Sequence, residues 1–283
     1  MLLNDLKDYI INELSIYYNT INNTKLKEIL MYSLEGGKCI RGFIVKHLIE
    51  VLTKKPTNLW QPIVSIELIH GISLVIDDLP CMDNDMMRRN KLSTFARFGE
   101  RQAILTSLFG ISEALNILLD GLKILNLDST KYIDAINIIT KEWHEYIGKN
   151  LVVGQMLDLK ENIEELININ IPVNNDNIIL YKTCSLFIFA FILGSMYSGV
   201  NVNLEDYKKM GYHLGIMYQI MDDSRDIETD VVEANIILSK GKLEAEKLYM
   251  NSKSQFLDLI NNNNILTQEL LDIVGIIDSL YII

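Results

Sequence analysis

Two stretches of this chain, IDDLPCMDNDMMRRN from Ile76 to Asn90 and YQIMDDSRDIETD from Tyr218 to Asp230, crowd carboxylates beside arginines. Crowded carboxylates repel one another unless a cation is present. Both stretches are therefore candidate magnesium sites, with oxygen ligands shared between the protein and a substrate phosphate. In the second stretch Asp222 and Asp226 are four residues apart, about 40° around a helix, with Asp223 adjacent. In the first, Asp77 and Asp78 close the apolar run ELIHGISLVIDD, and Asp83 would point roughly 240° away from Asp77 on a straight helix. Pro80 lacks an amide donor and clashes with the preceding turn, which predicts a loop or kink over DDLPCMD that returns Asp83 toward Asp77. His70 lies two turns before Asp77 and roughly 20° off its face. Taken singly, each acidic cluster fits a solvated face equally well, and a histidine in an apolar run is usually a satisfied core residue.

The basic residues narrow the choice. Arg88 and Arg89 follow the first cluster, GGKCIRG supplies Lys38 and Arg41 beside glycines, and YKTCSLF supplies Lys182 and Thr183 at the start of an apolar helix. Arginine offers forked donors to phosphate oxygens, lysine a point charge, and glycine lets the backbone approach closely. Together these imply two classes of phosphate, one bridged to carboxylates by metal and one held by cations directly.

The elements that must position these groups are helices. Apolar residues recur at three- and four-residue spacing, as in LKDYIINELSIYY and VVEANIILSKGKLEAEKLY, and alternating strand patterns are scarce, so the expected class is all-α. Breaks are expected at TKKPTN, NLDST, NINIPVNND and NNNN. No linker rich in Gly, Ser or Pro divides the chain, which reads as one domain over 1–283. With 49% hydrophobic residues the chain can bury a substantial core. Its 37 acidic against 26 basic side chains, net charge -11, argue against a general nucleic-acid binder. Cys39, Cys81 and Cys184 are widely spaced, match no zinc pattern and suit reduced thiols in a cytoplasmic setting. The first residues, MLLNDLKDYI, lack the apolar centre of an export signal. The uncharged stretch from Thr183 to Leu204 is long enough to span a membrane, but polar residues dilute its second half and no second stretch resembles it, so it reads as a buried core helix and no membrane span is expected.

In order along nearly the whole chain, GGKCIRG, ELIHGISLVIDDLPCMDNDMMRR, FGE, GQMLDL, YKT and YQIMDDSRD resemble the signposts of the trans-type isoprenyl diphosphate synthases. DDLPCMDNDMMRRN is most similar to the geranylgeranyl diphosphate synthases of the plant and bacterial kind. The resemblance implies an isoprenoid synthase fold: long helices around a deep central cavity, the two acidic motifs facing each other at its mouth, and two subunits paired as a homodimer. It implies magnesium ions on an allylic diphosphate (dimethylallyl, geranyl or farnesyl), ionisation to an allylic cation, attack by isopentenyl diphosphate, and loss of a proton and pyrophosphate.

Carried over by position, Asp77, Asp83 and Asp222 resemble the metal ligands, with Asp78, Asp223 and Asp226 supporting them. Lys38, Arg41, His70 and Arg89 resemble the isopentenyl diphosphate site, and Arg88, Lys182, Thr183 and Gln219 the allylic diphosphate contacts. Ile72 and Ser73 resemble the positions that set chain length. An aromatic residue at position 72 would stop growth at farnesyl diphosphate; aliphatic Ile72 and small Ser73 let the tail pass, which implies a geranylgeranyl product.

The chain also departs from the pattern. Cys39 stands where the family usually has a basic residue, Gly42 where it has Pro, Met86 where it has Asp, and Asn90 where it has Gly. The Pro-to-Gly departure is expected to soften the loop that holds isopentenyl diphosphate. The family's Gly-Lys loop after Asp226 is missing, with Lys240 and Lys242 assigned to the following helix, and Arg225 reads either as a substitute or as a surface ion pair. The alternatives are a farnesyl diphosphate synthase, a class I terpene cyclase, which would not need GGKCIRG, and a non-catalytic partner subunit.

Overall fold

The computed structural model describes residues 3–19, 24–159, 175–227 and 235–281. They are largely helical, as the periodicity predicts. The only strands among them are Met87–Arg88 (β1) and Lys91–Leu92 (β2), one antiparallel hairpin. The breaks expected at TKKPTN, NLDST and NNNN all separate helices, whereas the one around Pro172 lies outside the described residues. By contact the chain groups into two compact units, 1–139 with 196–200, and 140–195 with 201–283.

In the first unit α1 (Leu3–Tyr18), α2 (Thr24–Leu34) and α3 (Ile40–Thr53) pack on α4 (Gln61–Asp77); α5 (Thr94–Phe98) and α6 (Glu100–Ile124) follow. Pro62 sits in the first turn of α4, where its missing N–H costs no hydrogen bond. The helix is buried on nearly every side, as its all-round apolar sequence requires. Its approach to α6 depends on small residues: a Cβ on Gly110 would lie 2.6 Å from Ile72 Cγ1, and one on Gly121 would lie 2.8 Å from Gln61 Cβ. Between them the buried Ser65 hydroxyl donates to the Ala114 carbonyl at 2.8 Å. Three points of close contact thus hold α4 along its length and fix the place where it ends, at Asp77.

The chain continues through α7 (Ser129–Trp143) and a π-helical run, His144–Asn150, into the second unit. There follow α8 (Leu151–Asp158), α9 (Asn175–Ile178), a second π-helical run, Ile179–Cys184, α10 (Ser185–Tyr197) and α11 (Leu204–Arg225). Asn203 caps α11, accepting from the Glu205 N–H at 3.3 Å. Gly211 and Gly215, one turn apart on α11, admit the neighbouring backbone: a Cβ on Gly211 would lie 2.4 Å from Ile188 Cα, and one on Gly215 2.8 Å from Cys184 Sγ. On α8, a Cβ on Gly154 would lie 2.3 Å from the Lys182 nitrogen. These close approaches hold the π-helical run in place from both sides.

Two expectations are corrected. VVEANIILSKGKLEAEKLY is not one helix: its described part is α12 (Ile236–Lys240), then Gly241 at φ 84, then α13 (Lys242–Asn262), which α14 (Gln268–Leu280) follows. Lys240 and Lys242 therefore belong to different helices. Among the described residues two helices rather than one are long and apolar enough to cross a membrane, Ile179–Tyr197 and Glu100–Ile124. In the first, 72% of the apolar window is buried within the protein, which marks a core helix. α6 passes the test because it is apolar on two faces, one against α4 and one exposed at Leu105 and Leu108.

Replacing Gly211 with Ala tests the packing of α11. The added methyl meets backbone and not a movable side chain tip, so urea denaturation should show a loss of about 1–3 kcal/mol in unfolding free energy. A loss within experimental error would show that the neighbouring backbone yields without cost.

Candidate active site

The first acidic cluster is built by the way α4 stops. Asp77 is its last residue and Asp78 its C-cap, and the chain then turns tightly: Met82 N–H donates to the Leu79 carbonyl at 2.8 Å and Asn84 N–H to the same oxygen at 3.1 Å. The Asp83 N–H donates to the Asp77 carbonyl at 2.9 Å, so the turn through Pro80 returns Asp83 to Asp77 as the sequence predicts. Asp83 is exposed, while Asp77 is largely buried. Asp78 is only 2% exposed and faces inward, where Arg88 Nε donates to its Oδ1 at 2.7 Å; Arg88 also reaches Asp85 at 2.9 Å. Burial pushes the Asp78 carboxyl above the usual carboxylate range, and the Arg88 bond offsets only part of that. Asp78 thus positions Arg88.

The β1–β2 hairpin carries the next cations. Arg89 and Asn90 form its two-residue turn with φ of 54° and 63°, the paired left-handed conformation that suits a tight hairpin. Arg89 is an unusual residue there, and its side chain compensates: Nη1 donates to the Leu34 and Glu35 carbonyls at 3.2 Å each, capping the C-terminal end of α2. Beside it, Gly36, Gly37, Cys39, Glu67 and Arg89 line a cavity of about 200 Å³. Lys38 is exposed and Arg41 is buried in the first turn of α3. Gly42 does not loosen this loop as expected, because its N–H donates to Glu67 Oε1 at 2.7 Å, a bond no proline could make.

His70 is partly buried on α4, and the Ser73 hydroxyl donates to its carbonyl at 2.9 Å. Burial, then the positive charges of Arg41, Arg89 and Arg88, hold the imidazole well below its ordinary pKa. His70 is therefore neutral in a cationic surround. Ile72, 1% exposed, packs into the gap left by Gly110.

In the second unit the last turn of α11 and its C-cap, Asp226, carry the other aspartates. Asp222 is half-buried, Asp226 and Arg225 are exposed, and Arg225 forms no ion pair with another described residue. Asp223 is 3% exposed and internally committed: Gln219 Nε2 donates to Oδ1 at 2.6 Å and the Ile236 N–H to Oδ2 at 2.7 Å. Asn235, fully buried, donates to the Asp223 carbonyl at 2.7 Å and caps α12. Asp223 therefore ties the end of α11 to the start of α12; residues 228–234, where the family's Gly-Lys loop is expected to be missing, lie outside the described residues. The Thr183 hydroxyl donates to Gln219 Oε1, and Lys182 pairs with Asp158 at 2.6 Å. Both sit in the π-helical run and not in the helix proper, a feature common at functional sites.

Among the described residues no three His, Cys, Asp or Glu side chains form a ready-made metal cage. The outward carboxylates fit magnesium nonetheless, since that ion takes one or two protein carboxylates and completes its octahedron with water and phosphate oxygens. Reading the sequence missed Glu67, Asp158 and Asn235. Glu67 had a signal, a charge inside an otherwise apolar helix; Asn235 had none.

Residues 23–239 match the family described as polyprenyl synthetase. The farnesyl diphosphate synthase of Buchnera aphidicola subsp. Schizaphis graminum is 32% identical over 276 residues, 83% of this chain and 87% of that protein. The heterodimeric geranylgeranyl pyrophosphate synthase large subunit 1, chloroplastic, of Arabidopsis thaliana is 28% identical, over 86% of this chain and 67% of that protein. The solved geranyltransferase of Legionella pneumophila has a similar fold, with a TM-score of 0.75 at 23% identity over 99% of this chain and 96% of that one.

The depressed His70 gives a pH prediction. Below about pH 6.5 the unfolded histidine takes up a proton that the folded one refuses, so folding stability falls with pH by up to about 1.4 kcal/mol per unit and is flat above. His213 is shifted the same way, so the measurement is a difference. Urea denaturation from pH 5 to 7.5 should show His70→Gln losing less stability on acidification than the parent, and parallel curves would exclude the assignment.

Proposed function

Because the chain belongs to the polyprenyl synthetase family and is a trans-prenyltransferase, we propose that it joins isopentenyl diphosphate head-to-tail to an allylic diphosphate, releasing pyrophosphate. The observation that carries this reading is the turn that returns Asp83 to Asp77 at the end of α4. The family match runs from 23 to 239 across both compact units, which supports treating 1–283 as one synthase domain.

Asp77, Asp83 and Asp222 would hold magnesium, which when bound draws charge from the allylic diphosphate and makes it a better leaving group. Asp226, exposed at the C-cap of α11 four residues after Asp222, adds negative charge there. Asp78 and Asp223 act by orienting Arg88 and Gln219. Lys182 is held by Asp158 until phosphate oxygens compete for it. On the other substrate, Lys38, Arg41, His70 and Arg89 supply donors and positive charge for the isopentenyl diphosphate. No side chain is required as base, because departing pyrophosphate can accept the proton.

The proposed product is geranylgeranyl diphosphate. Support comes from Ser73, small and partly exposed, and from Ile72, withdrawn into the space left by Gly110. Relatives carry both farnesyl and geranylgeranyl names, so the product rests on these two positions. We place the active form as a homodimer, a reading supported by the apolar face of α6, where Leu105 is 66% and Leu108 64% exposed.

The pure protein, incubated with farnesyl diphosphate, magnesium and labelled isopentenyl diphosphate, should yield a labelled chain one isoprene unit longer. A cyclic hydrocarbon would indicate a terpene cyclase, and silence a non-catalytic subunit. Asp77→Ala or Asp222→Ala should lower turnover at least about 100-fold with helical content intact, since the lost interaction acts on charge developing at ionisation. Near-parental turnover in either would exclude the metal assignment. Ile72→Phe is too large for the gap beside Gly110 and should project into the path of the tail, shifting product to farnesyl diphosphate while condensation continues. Unchanged chain length would overturn the account of the cavity.

A further inference from the structure

The first turn of α3 carries Arg41 and follows Lys38 directly, yet it lacks the usual means of holding a helix start. Its N-cap, Cys39, has φ 55° and no capping bond from its own side chain. The first N–H groups of a helix have no partner within it and concentrate positive charge at that end. In α3 one of them is satisfied from another helix: Glu67, in the middle of α4 and 4% exposed, accepts from the Gly42 N–H at 2.7 Å. The fit is close, since a Cβ on Gly42 would lie 3.0 Å from Glu67 Cγ and 3.2 Å from Ile10 Cδ1.

A buried carboxylate needs a strong reason to persist. Burial pushes the Glu67 carboxyl upward, and the Gly42 N–H and the charges of Arg41 and Arg89 pull it back. The same carboxylate lines the 200 Å³ cavity with Arg89, Gly36 and Gly37. One acid thus meets the helix start, the two arginines and the glycine turn that together make up the isopentenyl diphosphate side of the site.

We propose that Glu67 is a positioning residue that caps α3 from α4 and so sets the Gly36–Arg41 segment and its cations for the diphosphate of isopentenyl diphosphate. The capping itself stands on the geometry; the ligand rests on the function proposed above. Because Glu67 takes the Gly42 N–H, that donor is not free for the diphosphate.

Three forms test this, the parent, Glu67→Ala and Glu67→Gln, the last retaining an oxygen acceptor for the Gly42 N–H. Hydrogen exchange at the Gly42 amide should be slow in the parent and in Glu67→Gln, and at least about tenfold faster in Glu67→Ala. In kinetics, Glu67→Ala should raise KM for isopentenyl diphosphate about tenfold or more, with KM for the allylic diphosphate little changed, and Glu67→Gln should recover most of the loss. Unchanged exchange at Gly42 overturns the cap. Equal rises in both KM values, or no rise in either, overturn the positioning role. A parent that binds no isopentenyl diphosphate in calorimetry fails the functional reading instead, while the exchange result still decides the cap; should Glu67→Ala fail to fold, an unprotected Gly42 amide in the parent or full loss in Glu67→Gln overturns the proposal.

Discussion

Carboxylates at the C-terminal end of a helix face the negative end of its dipole, the least favourable place for them without a cation. This chain puts aspartate pairs there twice, Asp77 and Asp78 at the end of α4, and Asp222 and Asp223 in the last turn of α11. The same solution recurs in both. The second aspartate of each pair turns inward and is fully engaged, Asp78 by Arg88 and Asp223 by Gln219 and the Ile236 N–H. The others, Asp77 with Asp83 and Asp222 with Asp226, are the carboxylates proposed to gather magnesium and phosphate.

Holding such ends in place demands rigid helices, and here rigidity comes from residues with little side chain. Gly110 and Gly121 let α4 and α6 close on one another around the Ser65–Ala114 hydrogen bond. Gly211 does the same for α11 and α10, and Gly215 for α11 and the run that carries Lys182 and Thr183. Close backbone approach raises contact density, so an error in the position of a helix end is opposed by many small dispersion terms rather than by one bond.

Cations are arranged by the same economy of short reach. Arg89 sits in a left-handed hairpin turn and anchors to the carbonyls at the end of α2. Glu67 meets the start of α3. The end of one helix and the start of the next are thus each stabilised by a charge of the correct sign from elsewhere in the chain, with Lys38 in the loop between them and Arg41 in the first turn of α3.

Much of the site was legible along the chain because helical spacing is local. A period of 3.6 residues places Asp222 and Asp226 on one face whatever surrounds them, Pro80 breaks α4 by its own ring, and the apolar run before Asp77 can only be a buried helix. The all-α class and the order of the motifs follow from the sequence for the same reason. What local rules could not supply was which of two adjacent aspartates turns inward, since both have the same chemistry and only the position of Arg88 or Ile236 separates them. Nor could they show that Gly42 would find Glu67, 25 residues away, and tighten a loop expected to soften. Hydrogen bonds between distant residues depend on how whole helices pack, and that is decided by the sum of many contacts in the tertiary structure, of which each residue carries only a part.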